Sequence, residues 1–357
     1  MVDDRVARLA DILVNHSIRV RKGDVIKINF GVEARELALE VYRLIVKKGA
    51  LPRVEAIVPG FSYAFFKHAS LVQLKSFPSI TMYEARHVNG SISIGGNYNS
   101  REFSNIDPQR VVLRSMVVRK ISNVILKTNN WVGCDYPAYS LAQDAEMSLV
   151  EFEDFLFTAT NQDWQKESKK QDKIKAILDK GSFVRILGEE TDVRFSIKGR
   201  TAIKADGHHN MPDGEVFIAP QEKTVEGSIY YSYPTIKDDV EVDGVRLSFK
   251  KGKVIRHSAT KNLAYLSAML AMDKGSSYVG EFGIGTNYLI PKFTKQILFD
   301  EKMGGTIHLA LGMAYKEGGG RNESALHWDM VKDLRYGGEV WVDDFLLQKN
   351  GKFTIKL

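Results

Sequence analysis

Apolar and polar positions follow one period in the first half of the chain and another in the second half, and the change falls near residue 180. In the first half, apolar residues recur at helical spacing at positions 6, 9, 10 and 13, after an aspartate that can cap a helix, and again across 33–48. Short apolar segments at 25–30 and 53–57 flank the second of these helices and predict strands. This strand–helix–strand order is typical of a parallel α/β layer.

The remainder of the first half extends the same layer. Residues 79–84 and 91–94 are predicted as strands, and residues 108–126, 141–158 and 163–178 are predicted as helices. We therefore expect residues 1–180 to form an N-terminal α/β domain with a partly parallel sheet.

The second half has the pattern of an antiparallel sheet. Turn residues such as Asp243–Gly244 separate short segments of alternating polarity, and Asn350–Gly351 predicts a closing hairpin between strands 339–347 and 353–357. We expect residues 181–357 to form a C-terminal α+β domain with a mainly antiparallel sheet, so that the fold class is α/β with two domains. The other predicted strands are 183–186, 193–197, 227–233, 245–250 and 253–258, with one helix across 260–274.

Length and composition agree with a globular chain of two domains. The chain has 357 residues, of which 44% are hydrophobic and 26% charged, and this length exceeds one ordinary compact core. The single cysteine, Cys134, excludes an internal disulfide. The N-terminus lacks the pattern of a signal peptide, and no run of 18 apolar residues exists. We therefore expect a cytoplasmic protein that has no membrane partner.

The net charge of +6 is modest, and the basic residues are dispersed. The densest basic segment, KESKKQDKIK at 166–175, is interpreted as the solvated face of a helix. No aromatic–basic motif accompanies it, so we expect no nucleic-acid partner, and an RNA-binding module is only a distant alternative.

The candidate chemistry is concentrated in the second half. Glu281, His308, Tyr315, His327 and Asp329 lie in short segments bordered by glycine. Carboxylates and imidazoles suit a borderline divalent cation such as zinc or cobalt. Because these residues outnumber the ligands of one tetrahedral ion, the pattern favours two metal ions and a hydrolytic reaction.

Three further observations bear on this predicted centre. His327 and Asp329 are two residues apart, so on a strand both side chains point to the same face. Glu215 follows a Pro–Asp–Gly turn that can deliver it into a cleft, although a plain surface turn with a solvated Glu215 is an equal alternative. His208–His209 is another candidate metal pair, of which at most one member would share the site.

Charge counting supports two ions. Glu215, Glu281 and Asp329 supply three negative charges against four positive ones, and a Tyr315 phenolate or a bridging hydroxide would complete neutrality. Glu301 is a further candidate carboxylate. Asn287, Asn322 and Ser324 are candidates for orienting the ligands, and Gly283 and Gly285 are predicted to allow tight turns.

Other catalytic signatures are absent from the sequence. It contains no HExxH, no GxSxG, no phosphate-binding GxxxxGK[ST] and no paired CxxC.

Four ordered blocks carry a family resemblance. They resemble the aminopeptidase T family of thermophilic-type leucyl metallo-aminopeptidases, which includes aminopeptidase S, in both order and spacing. The N-terminal half agrees more loosely. The blocks are NMPDGEVF at 210–217, GEFGIGTN at 280–287, DEKMGGTIHLALGMAY at 300–315 and NESALHWD at 322–329.

The resemblance implies a homodimeric exopeptidase with two divalent metal ions (Zn, Co or Mg) in its C-terminal catalytic domain. Its substrates would be peptides with a free N-terminus. Glu215 or Glu281 would transfer the proton to the leaving nitrogen, and Tyr315 would bind metal or stabilise the oxyanion. The implied metal ligands are Glu215, Glu281, Glu301, His308, Tyr315, His327 and Asp329.

Two alternatives remain open at this point. The same ligands suit another two-metal hydrolase, such as an amidase or a phosphoesterase. The second alternative is a non-catalytic binding dimer in which the metal is structural.

Overall fold

The computed structural model describes residues 2–96, 98–128, 130–238 and 240–357. Among these described residues, no helix combines the length and the hydropathy that a membrane crossing requires. The helices are α1 (Asp4–Asp11), α2 (Arg35–Lys47), α3 (Phe61–His68), α4 (Leu71–Lys75), α5 (Ser79–His87), α6 (Pro108–Lys127), α7 (Tyr139–Asp144), α8 (Leu149–Thr160), α9 (Trp164–Lys180), α10 (Leu263–Leu270) and α11 (Ile297–Asp300), with shorter helical turns at Ile12–Ser17, Val32–Ala34 and Lys316–Gly318.

The strands, in chain order, are β1 (Val25–Gly31), β2 (Leu51–Ile57), β3 (Gly90–Ile94), β4 (Trp131–Cys134), β5 (Phe183–Gly188), β6 (Thr191–Ser196), β7 (Ile203–Ala205), β8 (Asn210–Met211), β9 (Glu215–Ile218), β10 (Glu226–Tyr230), β11 (Thr235–Lys237), β12 (Val240–Val242), β13 (Arg246–Lys250), β14 (Lys253–Ser258), β15 (Val279–Gly285), β16 (Thr306–Gly312), β17 (His327–Asp333), β18 (Glu339–Val342), β19 (Phe345–Lys349) and β20 (Lys352–Phe353).

The first compact unit comprises the chain up to Gln162 together with Gly207–Pro212. Its sheet has the strand order β2-β1-β3-β4-β8, and each neighbouring pair is parallel. Helix α2 follows β1 and buries Leu37, Val41 and Ile45, which recur every four residues and so form one face. The prediction of a parallel α/β layer is therefore confirmed.

One predicted strand of this unit is wrong. Residues 79–84 lie in helix α5, not in a strand. Met82 and Ala85 are buried and pack with Ile121 of α6. Their spacing of three residues places them on one side of a helix, so tertiary packing outweighs the β-branched residues that favoured a strand.

The second compact unit comprises Asp163–Asp206 and Asp213–Leu357. Its larger sheet has the order β14-β13-β10-β6-β5-β18-β19-β20, and a five-stranded sheet has the order β17-β16-β15-β9-β7. Neighbouring strands are antiparallel in both, which confirms the mainly antiparallel sheet. Helix α9 belongs to this unit, whereas the sequence places the boundary between the two domains after that helix, at residue 180. This domain boundary stays a prediction.

The closing segment differs in detail from its prediction. The predicted strand 339–347 is interrupted at Asp343, whose φ of +51° makes a tight turn between β18 and β19. The Asp343 carboxylate accepts hydrogen bonds from the backbone N–H groups of Ser182 and Phe183. A local turn therefore replaces the predicted long strand.

The five-stranded sheet has two chemically different faces, because successive residues of a strand point to opposite sides. A bulge after Val279 shifts the register by one residue, so that Glu281 points away from the core although Val279 points into it. The core face consists of apolar side chains that are at most 2% exposed: Val216, Ile218, Phe282, Ile284, Ile307, Leu309, Leu311, Trp328 and Met330.

Replacing Leu309 by Ala should lower the free energy of unfolding by about 2–5 kcal/mol, because the fully buried side chain would leave a cavity. The matched control is Leu263→Ala on α10, where the leucine is 43% exposed and the loss should stay within about 0.5 kcal/mol. Urea unfolding of the metal-free protein measures both changes. Equal losses in the two variants would contradict the assignment of the core face.

Candidate metal centre

The opposite face of the five-stranded sheet gathers the predicted ligands. Strand β9 supplies Glu215, β15 supplies Glu281, β16 supplies His308, and β17 supplies both His327 and Asp329. Each of these side chains has glycine or alanine as a direct cross-strand neighbour, which leaves room above the sheet. The pairs are Glu215 with Gly285, Glu281 with Ala310, His308 with Gly283, Asp329 with Ala310 and His327 with Gly312.

The tightest group consists of Glu215, Glu281 and His308. Ligand atoms of all three lie within 4.8 Å of one another. His308 Nε2 is 3.3 Å from Glu215 Oε2 and 3.2 Å from Glu281 Oε1, and all three residues are buried. The structure thus brings three ligands from three strands to one point.

Several buried atoms of this group lack a hydrogen-bond partner among the described residues: Glu215 Oε2, Glu281 Oε2 and His308 Nδ1. A buried acceptor without a donor is costly, and a carboxylate oxygen more so than a neutral one. A divalent cation would satisfy the carboxylate oxygens, and mixed nitrogen and oxygen ligands suit zinc or a similar ion. The donor set therefore fits a metal.

His327 and Asp329 form a second pair, with His327 Nε2 at 3.3 Å from Asp329 Oδ2. His327 Nδ1 lies 3.0 Å from Met313 O, and because a carbonyl oxygen only accepts, Nδ1 carries a proton. Nε2 is then the nitrogen that can bind a metal. Asp329 Oδ1 has no hydrogen-bond partner within the described chain. This pair offers a second set of metal ligands.

The two histidines retain protons in the metal-free protein. Burial alone would lower the pKa of His308, but its contact with Glu281 and the charge of Glu215 raise that pKa to about 9. Burial likewise opposes the charge of His327, whereas Asp329 raises the pKa to about 10. Because both pKa values exceed the ordinary 6.5, the charged imidazoles stabilise the metal-free fold fully below pH 6.5, and this contribution is lost as the pH rises through about 9 and 10.

The pKa values of the carboxylates are shifted in both directions. Burial raises the pKa values of Glu215, Glu281 and Glu301. Burial would also raise the pKa of Asp329, but the charge of His327 holds it well below its usual range. Opposing shifts within one cluster are typical of functional sites.

Lys302 is a residue of this centre that the sequence analysis missed. Its side chain is fully buried, and Nζ lies 3.0 Å from Glu215 Oε1 and 4.0 Å from Asp213 Oδ1 and contacts Glu301 Oε1. Burial would lower the pKa of Lys302, but the charges of Glu215 and Glu301 raise it well above its ordinary value. The available signal was the charged run Asp300–Lys302 at the start of the block DEKMGGTIHLALGMAY, which already carried the family resemblance.

Tyr315 follows β16 and lies at the edge of the centre, 41% exposed. Its ring is 5.4 Å from the ring of His327 and 5.6 Å from that of Phe217. Burial and then the charges of Glu281 and Asp329 raise the pKa of the Tyr315 phenol above its ordinary range, so it stays protonated in the metal-free protein. Tyr315, Phe217 and Glu281 line a narrow crevice that leaves no room for a water molecule.

The environment of Glu215 excludes one of the two sequence interpretations. Asp213 is 1% exposed and Glu215 is 5% exposed, so the alternative of a surface turn with a solvated Glu215 is wrong. The side-chain amide of Asn287 donates to Asp213 O over 3.0 Å and so supports the turn before β9. Asn287 thus orients this segment through the backbone.

Other candidates have different contacts. His208 and His209 belong to the first unit, where His208 Nδ1 lies 3.1 Å from Ser17 O and His209 stacks on Trp131. Asn322 donates to Gly312 O, at the end of β16. The Ser324 hydroxyl donates to Asp273 and not to a predicted ligand.

The prediction that Gly283 and Gly285 allow tight turns is wrong, because both residues lie within strand β15. A Cβ atom on Gly283 would lie 2.0 Å from His308 Cε1. A Cβ atom on Gly285 would lie 2.0 Å from Met303 O. These glycines are required by close approach, and Gly283 in particular makes the space for the His308 ring.

An antiparallel sheet that presents buried carboxylates and imidazoles on one face is the ligand arrangement of a metal-dependent enzyme. The chain belongs to the thermophilic metalloprotease (M29) family, and the family model matches residues 2–353. The predicted resemblance to the metallo-aminopeptidases is therefore confirmed.

Relatives in this family are named aminopeptidases. Aminopeptidase 2 of Geobacillus stearothermophilus is 23% identical over 348 residues, which cover 86% of this chain and 83% of that protein. Aminopeptidase PepS of Streptococcus thermophilus is 23% identical and covers 92% of each chain. Aminopeptidase T of Thermus thermophilus is 31% identical over 151 residues, which cover 37% of this chain and 36% of that protein.

Solved structures show the same fold. Wild-type AmpT from Thermus thermophilus aligns with a TM-score of 0.88 and 20% identity, and 99% of each chain is covered. A 2,5-dihydroxypyridine dioxygenase from Pseudomonas putida KT2440 aligns with a TM-score of 0.64 and 11% identity, covering 98% of this chain and 97% of that one. Because a protein named for a different activity has the same fold, the fold alone does not determine the reaction. The reaction therefore has to be inferred from the site.

Replacing Gly283 by Ala should weaken Zn²⁺ binding by about 10- to 100-fold, because the added methyl group displaces the His308 ring. The matched control is Gly133→Ala in strand β4, where an added Cβ meets nothing within 4 Å. Competition with a chelating indicator measures both affinities. Unchanged affinity in the Gly283 variant would contradict the role of His308 as a ligand.

Binding of Zn²⁺ near neutral pH should release protons, because His308 and His327 hold protons below about pH 9 and 10 and an imidazole binds metal only when it is neutral. The apparent affinity should therefore weaken as the pH falls below about 9. Titration calorimetry in buffers of different ionisation enthalpy measures the released protons. A binding heat that does not depend on the buffer would contradict this expectation.

Proposed function

We propose that this metalloprotease is an aminopeptidase that removes the N-terminal residue from peptides with a free amino group, with two divalent metal ions in its site. The names of the relatives support the substrate class. The observation that carries the proposal is the presence of two neighbouring ligand sets, the Glu215–Glu281–His308 group and the His327–Asp329 pair, on one face of one sheet.

The residues that would hold the metals are Glu215, Glu281, His308, His327 and Asp329. The carboxylate oxygens without hydrogen-bond partners, Glu215 Oε2, Glu281 Oε2 and Asp329 Oδ1, are the natural points of attachment. Glu301, whose side chain is 16% exposed beside Lys302, is an additional candidate, as is Tyr315. When bound, a pair of such ions supplies Lewis-acid activation of the carbonyl and a water nucleophile near neutral pH.

The reaction also requires proton transfer by the chain itself. Water adds to the peptide carbonyl carbon, the carbon–nitrogen bond breaks, and the leaving nitrogen gains the proton that the water loses. Glu281 is the better candidate for carrying this proton, because its described ion-pair partner is the His308 imidazole, which metal binding would neutralise, and because it lies beside Tyr315 at the narrow crevice. Glu215 is less suited, since its Oε1 is already engaged by Lys302.

Tyr315 would stabilise the oxyanion as a neutral donor. Its raised pKa keeps the phenol protonated, and its partial exposure leaves the side chain accessible to a substrate. We therefore prefer this role to that of a phenolate ligand.

We also propose that the metal is zinc, cobalt or magnesium, that the protein is a cytoplasmic homodimer, and that its two domains meet at residue 180.

Glu281→Gln should reduce kcat/KM for aminoacyl-p-nitroanilides by about 10²- to 10⁴-fold, because the amide can neither carry the proton nor bind metal as a carboxylate does. Glu190→Gln is the matched control, since Glu190 is 51% exposed and pairs only with Arg246 among its described ion-pair partners. Full activity of the Glu281 variant after metal restoration would contradict the assignment.

The free-amine requirement is tested with the same peptides in free and N-acetylated form. An aminopeptidase should cleave only the free form, because the amino group is part of the recognised substrate. Cleavage of both forms would indicate an amidase. Metal binding without hydrolysis of any peptide or phosphoester would indicate a binding protein.

A further inference from the structure

A lysine is the least expected component of a site that would hold two dications. Lys302 is 0% exposed and lies among three carboxylates, those of Asp213, Glu215 and Glu301. An isolated buried ammonium group is strongly unfavourable, so these carboxylates are its compensation. The arrangement is reciprocal, because the same ammonium group also compensates the carboxylates.

The contact with Lys302 makes the two oxygens of Glu215 inequivalent. Oε1 lies 3.0 Å from Lys302 Nζ. Oε2 has no hydrogen-bond partner among the described residues and lies 3.3 Å from His308 Nε2, within the candidate ligand group. The carboxylate is therefore turned so that one oxygen faces the lysine and the other faces the proposed metal.

We propose that Lys302 is a positioning residue of the metal centre, which holds Glu215 through Oε1 so that only Oε2 binds metal. This inference rests on the proposed metal centre and deepens it. Without the lysine, Glu215 would be free to rotate and to offer both oxygens to the same ion. With it, the ligand geometry is set before any metal enters.

Charge counting supports the same role. Asp213, Glu215, Glu281, Glu301 and Asp329 are five carboxylates near or within the centre, and the ammonium group of Lys302 leaves four net negative charges. Two divalent cations carry four positive charges. The count therefore closes while Tyr315 is neutral, because Asp213 and Glu301 add two negative charges to the three of Glu215, Glu281 and Asp329, and Lys302 offsets one of them.

Lys332, on strand β17, provides a matched comparison. It is also buried, at 1% exposed, but it lies on the core face, where Nζ is 3.0 Å from Glu189 O and 5.0 Å from the ring centre of Tyr230. Replacing either lysine by Met removes one buried ammonium group. Only the change at Lys302 removes a contact with a proposed ligand.

The test uses Co²⁺ added to the metal-free protein and records its visible absorption spectrum, which depends on the number and geometry of the ligands. We expect Lys302→Met to shift this spectrum, because Glu215 would change its mode of binding, and Lys332→Met to leave it as in the wild type. Lys302→Gln, which keeps a hydrogen-bond donor, should shift it in the same direction by a smaller amount.

No spectral shift in whichever Lys302 variant retains the wild-type circular dichroism would overturn the inference, and so would an equal shift in the Lys332 variant. The result is independent of peptide hydrolysis. If the wild type cleaves no peptide but the spectral shift is confined to the Lys302 variants, the inference stands and the aminopeptidase is rejected. If the wild type cleaves peptides but all the spectra are identical, the aminopeptidase stands and the inference is rejected.

Discussion

The crowding of negative charge on one buried face of a sheet is the constraint on which the rest of this structure depends. Glu215, Glu281 and Asp329 are each stabilised in the metal-free protein by a nearby imidazole or ammonium group. The imidazoles lose their positive charge when a metal ion binds, because they bind metal only in the neutral form. The metal-free centre is therefore held together by protons that a cation replaces, and only Lys302 keeps its charge throughout.

The backbone makes this crowding possible by simple means. Strands alternate their side chains between two faces, so apolar residues can form a continuous core directly behind polar ligands. The bulge after Val279 corrects the alternation at one point, and small residues opposite each ligand provide the space that an imidazole or a carboxylate needs. The stability of the sheet and the chemistry of its outer face are thus specified by alternate residues of the same segments.

The sequence predicted those features that depend on local order. The parallel and antiparallel layers followed from periodicity, and the ligand set followed from four motifs whose order matched a known family. The sequence did not reveal Lys302, because its role depends on a contact with Glu215 that spans 87 positions. The helical state of residues 79–84 was missed for a similar reason, since the packing of Met82 against Ile121 is not visible in local propensity. The role of Gly283 required the cross-strand register with His308.

The path of the chain between its two compact units has a consequence for how the protein can be divided. The first unit takes its last strand, β8, from Gly207–Pro212, a short return after Asp163–Asp206 has already entered the second unit. Truncation after Gln162 would therefore leave a sheet that lacks an edge strand, and the complementary fragment would carry an orphaned hexapeptide. No single cut of the chain therefore separates one complete unit from the other.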